Sequence, residues 1–494
     1  MSAVITIVGL GSGDTDQLTV GIYNKLQAAK RLYVRTKDHP ALSAVTAEFV
    51  TFDDVYESRD SFPEVYAEIA ERLLQAASDA GVSEEIVYAV PGHPMVAERT
   101  VQILREKGKA LGVDVQVLGG ESFLDAAFTR LGFDPIEGFQ LLDASGLNAH
   151  LLQPRLHTVI GQVYDTFTAS DVKLSLMELY PDDYEVTVAH ALGVQGQEQI
   201  RQVPLHELDH VQDYGNLSLI YVPRTDDEAV RYRTFERLHE IVEILRSPGG
   251  CPWDREQTHQ SLRQNFIEET YEVLETIDED DPDHMQEELG DVLLQIMLHA
   301  QIEEETGTFN VYDVIEGLNR KLIFRHPHVF GDREAGDAQA ALQNWDAMKA
   351  EEKRLKGQNP DEASVLDGIP RDLPALLTAY KLQKKAAKVG FDWNDVEGAL
   401  GKLDEELGEL KEAIRDGQTA EEQLLELGDL LFCTVNVARF MGADPEQALA
   451  LVNLKFKRRF GYIEQSLRSR GLTLKDADLK EMDRLWDEAK AQNK

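Results

Sequence analysis

Residues 268–291 read EETYEVLETIDEDDPDHMQEELGD, and twelve of these twenty-four positions are Asp or Glu. Val273, Leu274, Ile277, Met285 and Leu289 still recur at roughly helical spacing. The stretch reads as two helices joined by a polar connection, with Glu275 and Asp278 to Asp283 as solvated surface and turn. Glu269 and Glu272 are three apart, as are Glu288 and Asp291, and residues three apart share a helix face. If the helices pack antiparallel, four carboxylates converge. Like charges at that spacing cost an isolated helix roughly 0.2–0.5 kcal/mol per pair. In a partly dry cleft they cost more unless a cation neutralises them. An all-oxygen ligand set suits Mg²⁺ or Mn²⁺ rather than zinc, and Mg²⁺ shares its shell with phosphates and water. Leu289 and Gly290 lie between the paired acids, and the glycine is read as room for the neighbouring helix to approach. A lone ExxE or ExxD is ordinarily a solvated helix face, so a second signal is needed.

An internal repeat supplies it. CPWDREQTHQSL, EETYEVLETI, EELGDVLLQIMLHA, RKLIFRHPHVF and WDAMK recur in order as FDWNDVEGALGKL, EELGELKEAI, LELGDLLFCTVNVARF, LKFKRRFGYIEQ and WDEAK. Trp253 matches Trp393, Glu269 and Glu272 match Glu406 and Glu409, and Glu288 and Asp291 match Glu426 and Asp429. Leu427 and Gly428 repeat the residues between the acids. Downstream, Lys455 and Arg459 are four apart on one helix face, where an ammonium and a guanidinium can meet phosphate oxygens. Trp486 and Lys490 are again four apart, suited to a base or sugar contact plus a phosphate contact. Core packing is the competing reading of Trp486. The first copy keeps Lys321, Arg325, Trp345 and Lys349 but has Phe324 in place of Arg458.

The surrounding chain has 494 residues, enough for two to four domains. Its formal net charge of −39 is shared by both halves, which argues against nucleic-acid polymers and anionic membranes as partners. A nucleotide needs only local cations and a metal. Cys251 and Cys433 form no metal or disulfide framework, the start MSAVITIVGLGSG enters a strand pattern directly, and no apolar run approaches membrane-spanning length. The expected compartment is a reducing cytoplasm. Up to residue 223, ITIVGL, RLYVRT, EIVYAV, VDVQVLG, HTVIGQV, DYEVTVAHAL and a last strand NLSLIYVPR alternate with helix-length segments. That predicts an α/β domain with a largely parallel sheet. VPRTDDEAV reads as a polar linker, after which YRTFERLHEIVEILRSP, DVLLQIMLHAQIEEE and residues 424–441 carry helical spacing. Residues 354–374 read as a second linker.

The helical half resembles the MazG nucleoside triphosphate pyrophosphohydrolases, on GGCPWDREQTHQSL, EETYEVL, EELGDVLLQ, RHPHVFGD, IPRDLPALLTAYKLQKKAAKVGFDW, EELGELKEAI, LGDLLFCTVNVAR and KFKRRF. The resemblance implies paired all-α helical-bundle domains over 230–355 and 373–494. It implies a homodimer and hydrolysis of a nucleoside triphosphate to the monophosphate and pyrophosphate. It places Mg²⁺ on Glu406, Glu409, Glu426 and Asp429, with Glu269, Glu272, Glu288 and Asp291 as the first copy's set. Lys402, Lys455, Arg458, Arg459, Trp486 and Lys490 fall where the family contacts nucleotide, and Glu405 is the candidate to orient or deprotonate water. The intact basic helix favours the second copy as the catalyst, with the first in a supporting role. Residues 1–223 resemble the tetrapyrrole methylases, as in YabN-type fusions with MazG, on GLGSGDTDQLTVGIYNKLQAAKRLYV, AVPGHPMVAERTV and VQVLGGESFLDAAFTRLG. That family binds S-adenosylmethionine between two α/β subdomains. Gly11, Gly13 and Asp14 match its first loop, and Gly92 and His93 its second, where PGHP stands in place of the common Gly-Asp-Pro. The alternative is a methyltransferase whose helical region dimerises it or senses nucleotides.

Overall fold

The computed structural model describes residues 3–59, 61–80, 85–355 and 364–492. Part of the second expected linker therefore lies outside the described residues. The chain divides into two compact units, one through Val314 and one from Ile315 onward.

The first unit opens on a parallel sheet of β1 (Val4–Gly9), β2 (Leu32–Val34), β3 (Phe49–Thr51), β4 (Ile86–Val90) and β5 (Asp114–Val117), in the order β3-β2-β4-β1-β5. The apolar runs of β1 and β4 lie side by side, Ile5 opposite Ile86 and Gly9 opposite Val90, and are buried on both faces. Helices α1 (Val20–Ala28), α2 (Phe62–Ala80) and α3 (Arg99–Leu111) provide the cover. Ile69, Leu73, Val101 and Leu104 pack with Ile5, Ile7 and Tyr88 on one side, and Ile22 and Leu26 with Val8 and Val87 on the other.

After α4 (Phe123–Leu131) comes a second sheet of β6 (Phe139–Asp143), β7 (His157–Gly161), β8 (Glu185–His190), β9 (Gln199–Pro204) and β10 (Ser218–Val222). Its order is β6-β7-β10-β8-β9. β6 and β7 pair parallel, while β10 runs antiparallel to β7 and β8, and β8 to β9. The expected largely parallel sheet thus holds for the first sheet and fails for the second. α5 (Thr166–Met177) buries Ala169, Val172 and Leu176 against it. The segment read as a polar linker is docked: Val230 is fully buried in this same core, and the Tyr184 hydroxyl donates to the Pro223 carbonyl at 2.9 Å.

The helical half begins within the first unit, with α6 (Phe235–Arg246), α7 (His259–Glu279) and α8 (Pro282–Thr306). α9 (Val311–Arg325) crosses into the second unit. That unit continues with α10 (Ala338–Leu355), α11 (Ala375–Lys388), α12 (Val396–Arg415), α13 (Ala420–Phe440), α14 (Pro445–Ser469) and α15 (Leu479–Ala491). Within it Ile463 and Leu467 of α14 close on Leu485 of α15, and Val435 of α13 is buried. Gln383 of α11 donates to the Phe432 carbonyl of α13 at 2.8 Å. Gly398 on α12 leaves room for Trp393, whose Cδ1 would lie 2.5 Å from a Cβ there.

Closeness of backbone also governs the end of β1. A Cβ on Gly9 would overlap the Gly92 carbonyl oxygen and press on Pro94. Gly9→Ala is therefore expected to cost about 3 kcal/mol through overpacking. Chemical denaturation followed by tryptophan-independent circular dichroism should show an earlier loss of the first unit, and an unchanged transition would contradict this packing.

Candidate metal centre and its flanking cations

Two short turns set the acids against one another. Between α7 and α8, Asp280 takes the left-handed conformation and Asp281 caps α8 by accepting from the His284 amide. Between α12 and α13, Thr419 accepts from the Glu422 amide, and the Glu422 carboxylate accepts from the Thr419 amide at 2.8 Å. Such turns leave consecutive helices antiparallel, so acids near the end of one meet acids near the start of the next.

In the first copy, carboxylate oxygens of Glu269, Glu272 and Glu288 lie within 4.8 Å of one another. In the second copy the same holds for Glu406, Glu426 and Asp429. Asp291 and Glu409 stand outside these tightest groups but act on them electrically. Partial burial pushes the Glu269 carboxyl up, and the charges of Asp291, Glu272 and Glu288 push it further. Desolvation and then the Glu272 charge raise Glu288, with His284 opposing at 3.6 Å. Glu409 is raised first by the charge of Glu406 and then by desolvation. Glu406 itself is buried, the rest of its group half-buried or exposed. A Cβ on Gly290 or Gly428 would meet nothing within 4 Å, so neither glycine serves a close helix approach as the sequence suggested. Leu289 and Leu427 are likewise about half exposed rather than packed.

The second group has a resident cation. The Lys402 ammonium sits 2.7 Å from Glu406 and 3.0 Å from Glu405, and these bonds, to Glu406 first, hold it above the ordinary lysine range. This pairing was not read from the sequence, because Lys402 to Glu406 is an ordinary i, i+4 spacing. On α14, Lys455 and Arg458 are exposed. The Arg459 guanidinium lies 5.5 Å from the ring centre of Trp486, which also packs against Phe456 at 5.2 Å. Trp486 is half-buried, with one side in the α14–α15 core, and Lys490 is exposed one turn on. Their first-copy counterparts differ: Arg325 is bonded to Glu352 at 2.7 Å, and Trp345 stacks on His326.

In the N-terminal half, Gly11 and Gly92 take positive φ and the Gly92 amide donates to the Gly11 carbonyl at 2.7 Å. The Gly13 amide donates to the Gln17 side chain at 2.8 Å, and a Cβ on Gly13 would strike Val194. Asp14 accepts from the Gln195 amide at 3.0 Å. His93 accepts from the Met95 amide at 3.1 Å, and its other nitrogen faces Gly119. The expected loop residues are therefore together, at the carboxyl ends of β1 and β4, where α/β sheets hold ligands. Gly13 and Asp14 are engaged by the chain itself, whereas the Cβ direction of Gly92 is open. Beside them lies a buried network absent from the sequence reading. Arg35 pairs with the buried Glu98 and donates to Tyr56 at 2.9 Å. Burial first, and then the Glu98 charge, push the Tyr88 hydroxyl well above the ordinary tyrosine range, with Arg35 opposing.

Residues 4–209 match the family model for tetrapyrrole (corrin/porphyrin) methylases, and residues 257–330 that for the MazG nucleotide pyrophosphohydrolase domain. The uncharacterized protein YabN of Bacillus subtilis strain 168 is 52% identical, over 99% of both chains. The nucleoside triphosphate pyrophosphohydrolase/pyrophosphatase MazG of Thermotoga maritima is 48% identical across 52% of this chain and 95% of its own length. The chain belongs to the MazG family, fused to a tetrapyrrole methylase domain. Among solved structures, uroporphyrin-III C-methyltransferase of Thermus thermophilus, complexed with S-adenosyl homocysteine, aligns over 46% of this chain and 99% of its own at 22% identity, with a TM-score of 0.36. Among the described residues no helix is long and apolar enough to cross a membrane.

The MazG acid groups fit a hard divalent cation by donor chemistry: oxygen ligands alone, with three carboxylates within 4.8 Å of one another in each copy. Raised carboxyl pKa values make the folded state hold protons that the unfolded chain releases. The stability they contribute is present below the unfolded carboxylate range and lost as pH rises through the raised values. Neutral pH therefore leaves the repulsion at full strength, and a bound divalent cation would relieve it. Saturating Mg²⁺, at a hundredfold excess over Kd, is expected to add about 2.7 kcal/mol to the site-bearing helices. The gain in melting temperature should shrink towards pH 5, and a Tm indifferent to Mg²⁺ at pH 8 would remove the metal reading.

Proposed function

We propose that this protein hydrolyses nucleoside triphosphates to the monophosphate and pyrophosphate, with the second MazG domain as catalyst. The observation that supports it best is a carboxylate cluster in each copy: Glu406, Glu426 and Asp429 converge within 4.8 Å, with Glu409 raised by the Glu406 charge, and Glu269, Glu272 and Glu288 converge likewise in the first copy. Glu406, Glu409, Glu426 and Asp429 would hold Mg²⁺ or Mn²⁺. That ion, when bound, lowers the pKa of water and neutralises phosphate charge.

The chain's own groups do the rest. Lys402, Lys455, Arg458, Arg459 and Lys490 pair with non-bridging phosphate oxygens. The exposed side of Trp486 takes the base or sugar. A water oxygen bonds to the α-phosphorus as the bond to the α,β-bridging oxygen breaks. Glu405 accepts the proton, and pyrophosphate leaves with the bond's electron pair. Glu269, Glu272, Glu288 and Asp291 form the companion site, in a supporting role. Arg325 is engaged by Glu352 there, which leaves the first copy poorer in cations for a triphosphate.

We assign residues 1–223 to the methylase-like domain and 230–355 and 373–494 to the two MazG domains, working in the cytoplasm as a homodimer. Leu424, Leu425, Leu431 and Phe432 of α13 are between 44% and 66% exposed, an apolar surface that a partner helix would cover. S-adenosylmethionine is the cofactor proposed for the Gly11, Gly13, Asp14, Gly92 and His93 loops.

Pyrophosphate and inorganic phosphate released from each triphosphate with Mg²⁺ distinguish the reactions, and pyrophosphate alone is expected. Glu406→Ala and Glu426→Ala should each lower turnover at least about a hundredfold. Full activity in either variant would move the site elsewhere. Calorimetry with S-adenosylmethionine addresses the N-terminal half, where no heat at any concentration would leave only a retained fold. Light scattering should give twice the chain mass.

A further inference from the structure

The two acid groups differ in the cation beside them. Aligning the repeats by their acids puts Lys402, four residues before Glu406, opposite Asn265, four residues before Glu269. Lys402 holds Glu406 at 2.7 Å and Glu405 at 3.0 Å. Glu406 is the buried member of the group, with a side chain only 7% exposed. A cation there satisfies a carboxylate that water reaches poorly. The first group has no lysine at that position. There His284 lies 3.6 Å from Glu288 and is cationic only when protonated.

We propose that Lys402 occupies the cation's place in the second MazG site until a triphosphate draws it away, so that metal and nucleotide enter that site together, whereas the first site takes a divalent cation alone. This rests on the metal-dependent reading of both sites.

The physical basis is competition for one carboxylate. An ammonium bonded to Glu406 must leave before that oxygen can ligate an ion, and its departure leaves the ammonium without a partner. Triphosphate oxygens are a better partner for it than water is, because they are anionic and multiply charged. With nucleotide present, Lys402 changes partner and the acid group becomes free for the ion. In the first copy a neutral carboxamide offers no such competition, so the acids there gain most from an ion in the absence of nucleotide. Affinity at the second site is therefore linked to nucleotide by a reciprocal coupling: metal strengthens triphosphate binding by the same factor.

Mn²⁺ binding to the full chain, measured by calorimetry and by loss of the free-ion paramagnetic signal at pH 8, reads this directly. One class of site per chain is expected without nucleotide. A second should appear on adding a triphosphate analogue with a methylene between the α and β phosphorus atoms. Lys402→Asn should create the second class without nucleotide, with affinity raised about tenfold or more, the equivalent of ~1.4 kcal/mol. Asn265→Lys should weaken the first class by a similar factor. Two equal classes in the native protein, or a Lys402→Asn variant that binds Mn²⁺ as the native chain does, would overturn the proposal while leaving a metal-dependent hydrolase intact. Absence of Mn²⁺ binding even with the analogue would instead overturn the metal reading and the proposal with it.

Discussion

Carboxylates within 4.8 Å of one another repel, and the helical half of this protein is organised around holding them there. The force that does so is not in the acids. It comes from the two tight connections, Asp280–Asp281 and the Thr419 capping box, which leave the chain no choice but to return antiparallel. Caps of this kind contribute about 1 kcal/mol each. They act by direction as much as by energy, since a helix that left at another angle would carry its Glu–x–x–Asp pair away from its partner pair.

The second constraint follows from the first. Helices whose inward faces carry acids cannot use those faces for apolar packing. In the second unit Ile463, Leu467 and Leu485 form a small core at the α14–α15 end and Ala399, Ala413, Cys433 and Val435 are buried on α12 and α13, while other large apolar side chains on α13 remain at the surface. The homodimer proposed above would cover Leu424 and Leu425, which stand 66% and 64% exposed in a single chain.

The acids were legible in the sequence because i, i+3 spacing fixes which side chains share a face whatever the tertiary context, and because the repeat separated recurring acids from filler. The central strands β1 and β4 were legible because two-sided burial imposes continuous apolar runs. β3, β6 and β9 were not, and all three are sheet edges. QIRQVP of β9 is exposed over four of its six residues, so no apolar pattern announces it. Gly290 and Gly428 misled, because a small residue between acids looks like a contact and here faces open space. Lys402 was placed at the nucleotide by resemblance, but its pairing with Glu406 was not legible. Its i, i+4 spacing to Glu406 is shared by many surface pairs, and only the burial of that one glutamate makes the bond consequential. The network of Arg35, Tyr56 and Glu98 was equally hidden, since its members come from separate elements and meet only through the fold.

A protein of net charge −39 meets its triphosphate across an unfavourable field. Free nucleotide carries several negative charges, and an empty quartet would add four more at the point of contact. A lysine resting among those acids lowers that barrier without an ion. The same lysine is mobile where a bound divalent ion is not, because its ammonium sits on a flexible four-carbon stem. It can follow the phosphates and uncover the carboxylates as the charge that needs neutralising arrives. The acidity of the site and the acidity of the whole chain are then compatible with an anionic substrate, because the cations are few, local and able to change partner.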